Sequence, residues 1–144
     1  MENLLISACL LGVSCRYDGV SKPLPPEILK KLSEKYALIP VCAEIFGGLP
    51  TPREPAERRG EKVLTQSGAD VTAAYEKGAA EVLRLAALFG CKKALLKERS
   101  PSCGAGSIHD GTFSGGLLPG NGVAAALLLE NGVSVFGESE IEKL

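Results

Sequence analysis

The stretch that decides the fold reads Ala94-Leu95-Leu96-Lys97-Glu98-Arg99-Ser100-Pro101-Ser102-Cys103-Gly104-Ala105-Gly106-Ser107. Its first three residues are apolar and typical of a buried strand, and the chain then turns abruptly polar and glycine-rich. Cys103 lies in that loop between a proline and a glycine, where the backbone bends. Such a loop at a strand end is suited to presenting a thiolate and backbone N–H groups to a ligand.

Two other cysteines occur in the same setting. Cys9 follows the run Leu4–Ala8, and Cys42 follows the run Leu38–Val41. Strand patterns alternate with helix patterns along the chain, which predicts an α/β layered fold with a mainly parallel sheet flanked by helices. Ligands of such sheets bind outside the carboxyl ends of the strands. The three cysteine loops are therefore expected to meet at one rim of the sheet.

The pattern predicts four strands and three helices. The strands are Leu4–Leu11, Leu38–Ala43, Lys92–Lys97 and Val133–Phe136, and the helices are Glu27–Lys35, Asp70–Phe89 and Gly122–Glu130. Asp70 is the expected N-cap of the second helix, and a short strand or hairpin is expected near Thr112 and Phe113. Residues 44–61 have no clear periodicity, which predicts a long functional loop.

Length and composition indicate a single domain over residues 1–144. With 45% hydrophobic and 23% charged residues, the chain is expected to be globular and soluble. The formal charge of -1 argues against tight binding of intact nucleic acid, and no apolar run is long enough to span a membrane. Five cysteines without an export signal predict a reducing cytoplasm, while the oligomeric state is left open.

Four cysteines flank predicted strand ends, namely Cys9, Cys15, Cys42 and Cys103. They form no close pairs, and the lone His109 cannot complete a histidine-based zinc motif. Cysteines on separate loops suit an iron–sulfur cluster with one iron free of protein ligands. The alternative is that these cysteines pack as small buried hydrophobic residues, as we expect for Cys91.

Glu44 is the main candidate for acid–base chemistry. It lies two residues after Cys42, as a general acid or base would. Alternatively, it is a solvated loop carboxylate or the ion-pair partner of Arg53. Ser100 and Ser102 would either cap their turn or donate hydrogen bonds to a ligand.

Three further polar residues have local explanations. Asp18 is expected to pair with Arg16 within a turn. Asp70 is explained by helix capping, and His109 is interpreted as an exposed loop residue. Asp18 and Asp70 nevertheless remain candidate substrate contacts.

Three motifs together resemble one bacterial family, long described as a domain of unknown function, which includes the thiouracil desulfidases. The motifs are Ser7-Ala8-Cys9-Leu10-Leu11-Gly12 with Arg16-Tyr17-Asp18-Gly19, Pro40-Val41-Cys42-Ala43-Glu44 with Gly47-Gly48-Leu49-Pro50-Thr51-Pro52-Arg53, and Leu96-Lys97-Glu98-Arg99-Ser100-Pro101-Ser102-Cys103-Gly104. They cover nearly the whole chain in order. One departure is Ala43, where the family usually has proline.

The resemblance implies a 4Fe-4S cluster held by Cys9, Cys42 and Cys103, with one iron left without a protein ligand. It implies a small thiolated pyrimidine as substrate, either thiouracil or its nucleoside, whose sulfur water replaces without net redox change. Glu44 would be the acid or base, and Ser100 would assist it in positioning the substrate. Cys15, which corresponds to valine in many members, is left out of the ligand set.

Two alternatives to the enzyme remain open. The chain could be a non-catalytic iron–sulfur or metal-binding module, such as a cluster carrier or sensor, or a structural domain whose cysteines only pack. The feature favouring the enzyme is Glu44 beside a cysteine in a long loop, a pattern that core packing does not require.

Overall fold

The computed structural model describes residues 1–144 as an α/β domain built around a parallel sheet. Its strands are β1 (Glu2–Ser7), β2 (Tyr36–Val41), β3 (Ala56–Arg59), β4 (Lys62–Thr65), β5 (Lys93–Leu96), β6 (Ser107–His109), β7 (Leu117–Pro119) and β8 (Ser134–Gly137). Its α-helices are α1 (Pro26–Lys35), α2 (Ala43–Phe46), α3 (Thr72–Leu88) and α4 (Val123–Glu130). The main sheet has the order β2-β1-β5-β8. Every pair in it is parallel, which agrees with the mainly parallel sheet that the sequence predicted.

The central strand β1 is buried on both faces of the sheet. Leu4, Leu5 and Ile6 have no exposed surface, as expected for a parallel strand covered by helices on both sides. Leu5 packs with α3 and α4 on one face, while Leu4 and Ile6 pack toward α1 on the other. The continuous apolar run of β1 therefore reflects burial on two faces.

The strand order changes direction beside β1. The chain crosses from β1 through α1 to β2 on one side, and then returns to place β5 and β8 on the other side. In open α/β sheets the crevice at such a switch point is the usual ligand site. Here the Lys97 backbone N–H donates to Ser7 Oγ at 2.9 Å, which joins the carboxyl ends of β1 and β5.

Two predictions about the loops following these strands were wrong. The first strand ends at Ser7, because residues Ala8–Leu11 form a 3₁₀-helical turn that Gly12 closes with a φ of 103°. Residues 44–61 are not a plain loop, since they include most of the short helix α2 and the strand β3. Both elements are too short for their periodicity to be visible in the sequence.

Other predicted elements lie close to the observed ones. Helix α3 begins at Thr72, so its N-cap is Val71 and not the predicted Asp70, although Asp70 Oδ1 accepts the Thr72 backbone N–H at 2.9 Å. The predicted hairpin is formed by β6 and β7, with Thr112 and Phe113 in the intervening turn. Cys91 is buried in the core beneath α3 and α4, as expected. None of the helices has the length and apolar character needed to cross a membrane.

Candidate active site

A cavity of about 160 Å³ opens at the carboxyl ends of β1, β2 and β5. Strands β3 and β6 contribute further residues to its wall. Its polar and sulfur-bearing lining includes Cys9, Cys15, Arg16, Cys42, Glu44, Arg53, Glu57, Lys97, Ser100, Cys103 and His109. Residues distant in sequence thus meet where the sheet topology predicts a ligand site.

The three cysteines predicted to meet at the rim all line this cavity. Burial, reinforced by the other thiols, raises the pKa of Cys9 to about 12. Burial likewise raises the pKa of Cys103 to about 11. Both thiols are therefore protonated near neutral pH in the metal-free protein, and a metal would have to displace their protons.

Cys15 also lines the cavity, although it was left out of the predicted ligand set. The Cys42 thiol donates to the Cys15 carbonyl oxygen, with an S···O distance of 3.9 Å. Burial and the neighbouring Cys42 raise the pKa of Cys15 to about 12. The cavity therefore contains four free thiols, the three of the expected ligand set and Cys15.

The donor set suits an iron–sulfur cluster better than a single metal ion. Thiolates are the protein ligands of such clusters, and the cavity supplies them from loops after three different strands. No group of histidine, cysteine and carboxylate side chains lies close enough together to hold one ion. Cysteines that share a cluster bind different irons, so they need not converge on a single point.

Glu44 lies in the first turn of α2, and three side chains hold its carboxylate. Oε1 accepts hydrogen bonds from Arg53 Nη2 at 3.1 Å and from the Tyr75 hydroxyl at 2.8 Å. Oε2 accepts a hydrogen bond from Ser102 Oγ at 3.0 Å. The ion pair with Arg53, considered from the sequence, is present, and the Arg53 side chain is only 7% exposed. These contacts fix the carboxylate at the cavity wall.

The sequence does not mark Tyr75 as a residue of this site, although its hydroxyl binds Glu44. It lies on the buried face of α3, where an apolar side chain would serve packing equally well. Burial first, and then the charge of Glu44, raise the pKa of Tyr75 above its ordinary range. Tyr75 is therefore a permanent hydrogen-bond donor to Glu44. The only signal in the sequence was a hydroxyl on an otherwise apolar face.

Two glycines allow α2 to lie directly against α3. A Cβ atom on Gly78 would lie 1.8 Å from the Ala43 carbonyl oxygen, and one on Gly47 would lie 2.1 Å from that of Ala74. Only glycine permits such close approach of two backbones. Since Ala43 lies between Cys42 and Glu44, this contact determines where both of those residues stand.

The two serines of the third motif have different positions. Ser100 lines the cavity, and its Oγ accepts the backbone N–H groups of Ser102 and Cys103, both at 3.1 Å. Ser102 is 1% exposed and lies behind the cavity wall, with its Oγ 3.0 Å from Ser100 Oγ. Ser102 therefore bridges Ser100 and Glu44 and does not itself face the cavity, contrary to what a substrate contact would require.

The other polar residues considered from the sequence differ in their position relative to the cavity. Asp18 is exposed and pairs with Arg16 at 3.5 Å, so it borders the cavity only through that arginine. Asp70 is exposed and bonded to Thr72, and the structure does not bring it to the cavity. His109 was interpreted as an exposed loop residue, but it is half-buried in β6 and lines the cavity.

The chain is similar to known proteins over nearly its whole length. The model of a family described as 2-thiouracil desulfurase matches residues 4–140. The chain is 44% identical over 151 residues to the uncharacterized protein YbbK of Bacillus subtilis (strain 168), covering 98% of this chain and 99% of that protein. The solved structure of the 4Fe-4S-dependent thiouracil desulfidase TudS matches with a TM-score of 0.95 and 47% identity, covering 100% of this chain and 95% of TudS.

Proposed function

The chain belongs to the 2-thiouracil desulfurase family, and we propose that it is an enzyme that replaces the sulfur of a thiolated pyrimidine with oxygen from water. The substrate is thiouracil or its nucleoside, and the products are uracil or the corresponding nucleoside and hydrosulfide. The reaction is a hydrolysis, so no electron donor is required. The cavity at the end of the sheet is the proposed active site.

One observation carries this proposal. In the same cavity as the cysteines, the Glu44 carboxylate is held by Arg53, Tyr75 and Ser102. A carrier or sensor of iron–sulfur clusters needs thiols but has no use for a carboxylate fixed in this way. A fixed carboxylate beside cysteine thiols suits an enzyme that transfers protons to and from a substrate bound through its sulfur.

Cys9, Cys42 and Cys103 are the proposed ligands of a 4Fe-4S cluster, following the family resemblance. When bound, such a cluster supplies an iron free of protein ligands, a Lewis acid that attracts and polarises a thiocarbonyl sulfur. Cys15 remains outside the proposed ligand set. Its substitution is therefore the matched control for the three proposed ligands.

The protein residues supply the proton transfers. Glu44 accepts a proton from the attacking water, and the same carboxyl group returns this proton to the sulfur, which leaves as hydrosulfide. The second proton of the water is released as the ring carbonyl forms. Tyr75 and Arg53 hold Oε1, which leaves Oε2 and its contact with Ser102 as the side through which protons move. Ser100 faces the cavity and positions the substrate, while its contact with Ser102 links it to Glu44.

The first test is sulfide release from 2-thiouracil and 4-thiouracil by anaerobically reconstituted protein. Glu44→Gln keeps the size of the side chain but removes the base, and we expect a loss of about 10²–10⁴-fold in kcat with the cluster retained. The matched control is Glu57→Gln, because Glu57 also lines the cavity but its Oε1 binds the backbone N–H groups of Gly111 and Phe113, both at 3.0 Å.

The cluster ligands are tested by iron content and visible absorption. We expect Cys9→Ala, Cys42→Ala and Cys103→Ala to lose the cluster, and Cys15→Val to retain it. A full cluster without sulfide release from either base or its nucleosides would support the carrier or sensor alternative. Equal sulfide release by Glu44→Gln and the wild type would exclude Glu44 as the acid or base.

A further inference from the structure

Two buried polar atoms in the structure lack a hydrogen-bond partner. They are Arg16 Nη1 and His109 Nδ1, and both belong to residues that line the active-site cavity. Buried polar groups in proteins are nearly always paired, because an unpaired one retains the full cost of its desolvation. Two unpaired groups at one cavity therefore indicate partners that a ligand brings.

Arg16 is held in place, but not all of its hydrogen-bond donors have partners. Its Nη2 lies 3.5 Å from Asp18 Oδ2, and its guanidinium carbon lies 5.7 Å from the centre of the Tyr17 ring. Its side chain is only 19% exposed, so water does not fully compensate for the free Nη1. The other two cations of the cavity are already paired, Arg53 with Glu44 and Lys97 with Glu138. Among the cations that line the cavity, Arg16 is the one with a buried nitrogen that has no hydrogen-bond partner.

His109 is far from Arg16 in the sequence and reaches the cavity from strand β6. Its backbone pairs with Leu117 across the β6–β7 hairpin, which fixes the position of the residue while its Nδ1 lacks a partner. A neutral imidazole has one nitrogen that donates and one that accepts. His109 can therefore complement a ring N–H, which Arg16, having donors only, cannot do.

We propose that Arg16 and His109 form the pyrimidine-recognition pair of this enzyme, an inference that rests on the proposed function. Arg16 donates to the ring oxygen that the reaction leaves unchanged, and His109 accepts a ring N–H. Asp18 acts through Arg16 by orienting its guanidinium. None of these groups takes part in proton transfer at the sulfur-bearing carbon, so their role is specificity.

The experiment compares two substrates, only one of which carries the ring oxygen. Pyrimidine-2-thione keeps the thiocarbonyl and one ring N–H of 2-thiouracil but lacks the oxygen and the second ring N–H. Arg16→Met in the reconstituted holoprotein should lower kcat/KM for 2-thiouracil by about 10–100-fold, mainly through KM, and should change it for pyrimidine-2-thione by less than about threefold. For each substrate, kcat/KM of the variant is divided by that of the wild type, which cancels the difference in intrinsic reactivity between the two substrates. Arg84→Met, which removes an exposed arginine of α3, is the control.

The histidine is tested with 1-methyl- and 3-methyl-2-thiouracil, each of which lacks one ring N–H. His109→Leu should lower kcat/KM for 2-thiouracil about tenfold and should be no worse than the wild type on one of the two methylated substrates. His109→Gln retains an acceptor and should recover part of the loss. Circular dichroism verifies that each variant is folded.

Binding of uracil to the same holoproteins, followed by ligand-observed NMR, separates this inference from the proposed function. Weaker uracil binding by Arg16→Met and His109→Leu supports the recognition pair even if the wild type releases no sulfide. Normal sulfide release by the wild type, together with unchanged substrate preference and uracil binding in both variants, would overturn it.

Discussion

Gly78→Ala is the substitution whose effect the structure specifies most fully. The added Cβ would lie 1.8 Å from the Ala43 carbonyl oxygen, whereas ordinary contact begins at 3.4 Å. The backbone of α2 must therefore retreat from α3 by about 1.6 Å, the difference between these two distances. Ala43 is flanked by Cys42 and Glu44, so the retreat displaces a proposed cluster ligand and the proposed base together.

The magnitudes follow from two opposing effects on stability. Alanine is favoured over glycine inside a helix by about 1 kcal/mol. Overpacking costs about 1–3 kcal/mol, and the upper end applies because the obstacle is a backbone carbonyl and not a flexible side chain. We therefore expect a net loss of about 2 kcal/mol in the free energy of unfolding. Because misplacement of catalytic groups by about 1 Å costs about 10²-fold in rate, the loss of activity should be the larger effect.

Urea unfolding followed by circular dichroism measures the first effect, and sulfide release together with iron content measures the second. Gly78→Ser serves as a graded comparison, since its larger side chain should worsen both. An increase in stability of about 1 kcal/mol with unchanged activity is what helix propensity alone would produce. That result would refute the close contact between α2 and α3 and the role we assign to it.

Three further predictions concern the contacts of Glu44 and the buried thiols. Tyr75→Phe removes the donor at 2.8 Å from Oε1 and should lower kcat about tenfold. Ser102→Ala leaves Oε2 without its partner at 3.0 Å and should have a similar effect. In cluster-free protein, the pKa of Cys9 is about 12 when folded against an ordinary value of 9.0, so the folded state retains its proton longer. Its contribution to stability is complete below pH 9.0 and is lost as the pH rises toward 12, at up to about 1.4 kcal/mol per pH unit.

Each of these predictions has its own control. Tyr36→Phe removes the hydroxyl of a buried tyrosine that binds Lys93 and should leave kcat unchanged. Ser33→Ala removes a hydroxyl on α1 that donates to a helix carbonyl, and it should likewise leave kcat unchanged. The free energy of unfolding of cluster-free Cys9→Ala, measured in urea, should decline less at alkaline pH than that of the cluster-free wild type. A decline as steep as in the wild type would contradict the assignment to Cys9.

The sequence predicted most of the fold because apolar runs mark the strands of the main sheet and the longer helices show their period. The buried run at Leu4–Ile6 and the amphipathic pattern of α3 are examples. The strand-end position of the cysteines, combined with parallel topology, also predicted correctly that they share one cavity. The elements that were missed, α2, β3 and β4, have four residues each and no apolar run or period that marks them.

The finer structure of the site was not predictable because it depends on contacts between distant segments. Nothing near Tyr75 in the sequence indicates Glu44 as its partner, and nothing near Gly78 indicates the backbone of Ala43. His109 looked like a loop residue because β6 has only three residues and its partner strand lies beyond a glycine-rich turn. Asp70, by contrast, was explained from the sequence by its place at the start of a helix, and in the structure its contacts are with Thr72 and with Leu64, away from the cavity.

The hydrogen bonds of Arg53 bear on how sequences of this kind can diverge. Its guanidinium donates to Glu44, to the Thr51 hydroxyl and to the backbone carbonyls of Pro50 and Cys15. Carbonyl acceptors are independent of the side chain, so positions 15 and 50 are free to vary without loss of the contact. Lysine offers a single point of donation and cannot reproduce a planar fork that reaches several acceptors. We therefore expect related sequences to change residue 15 readily, and to keep arginine at 53 wherever glutamate is kept at 44.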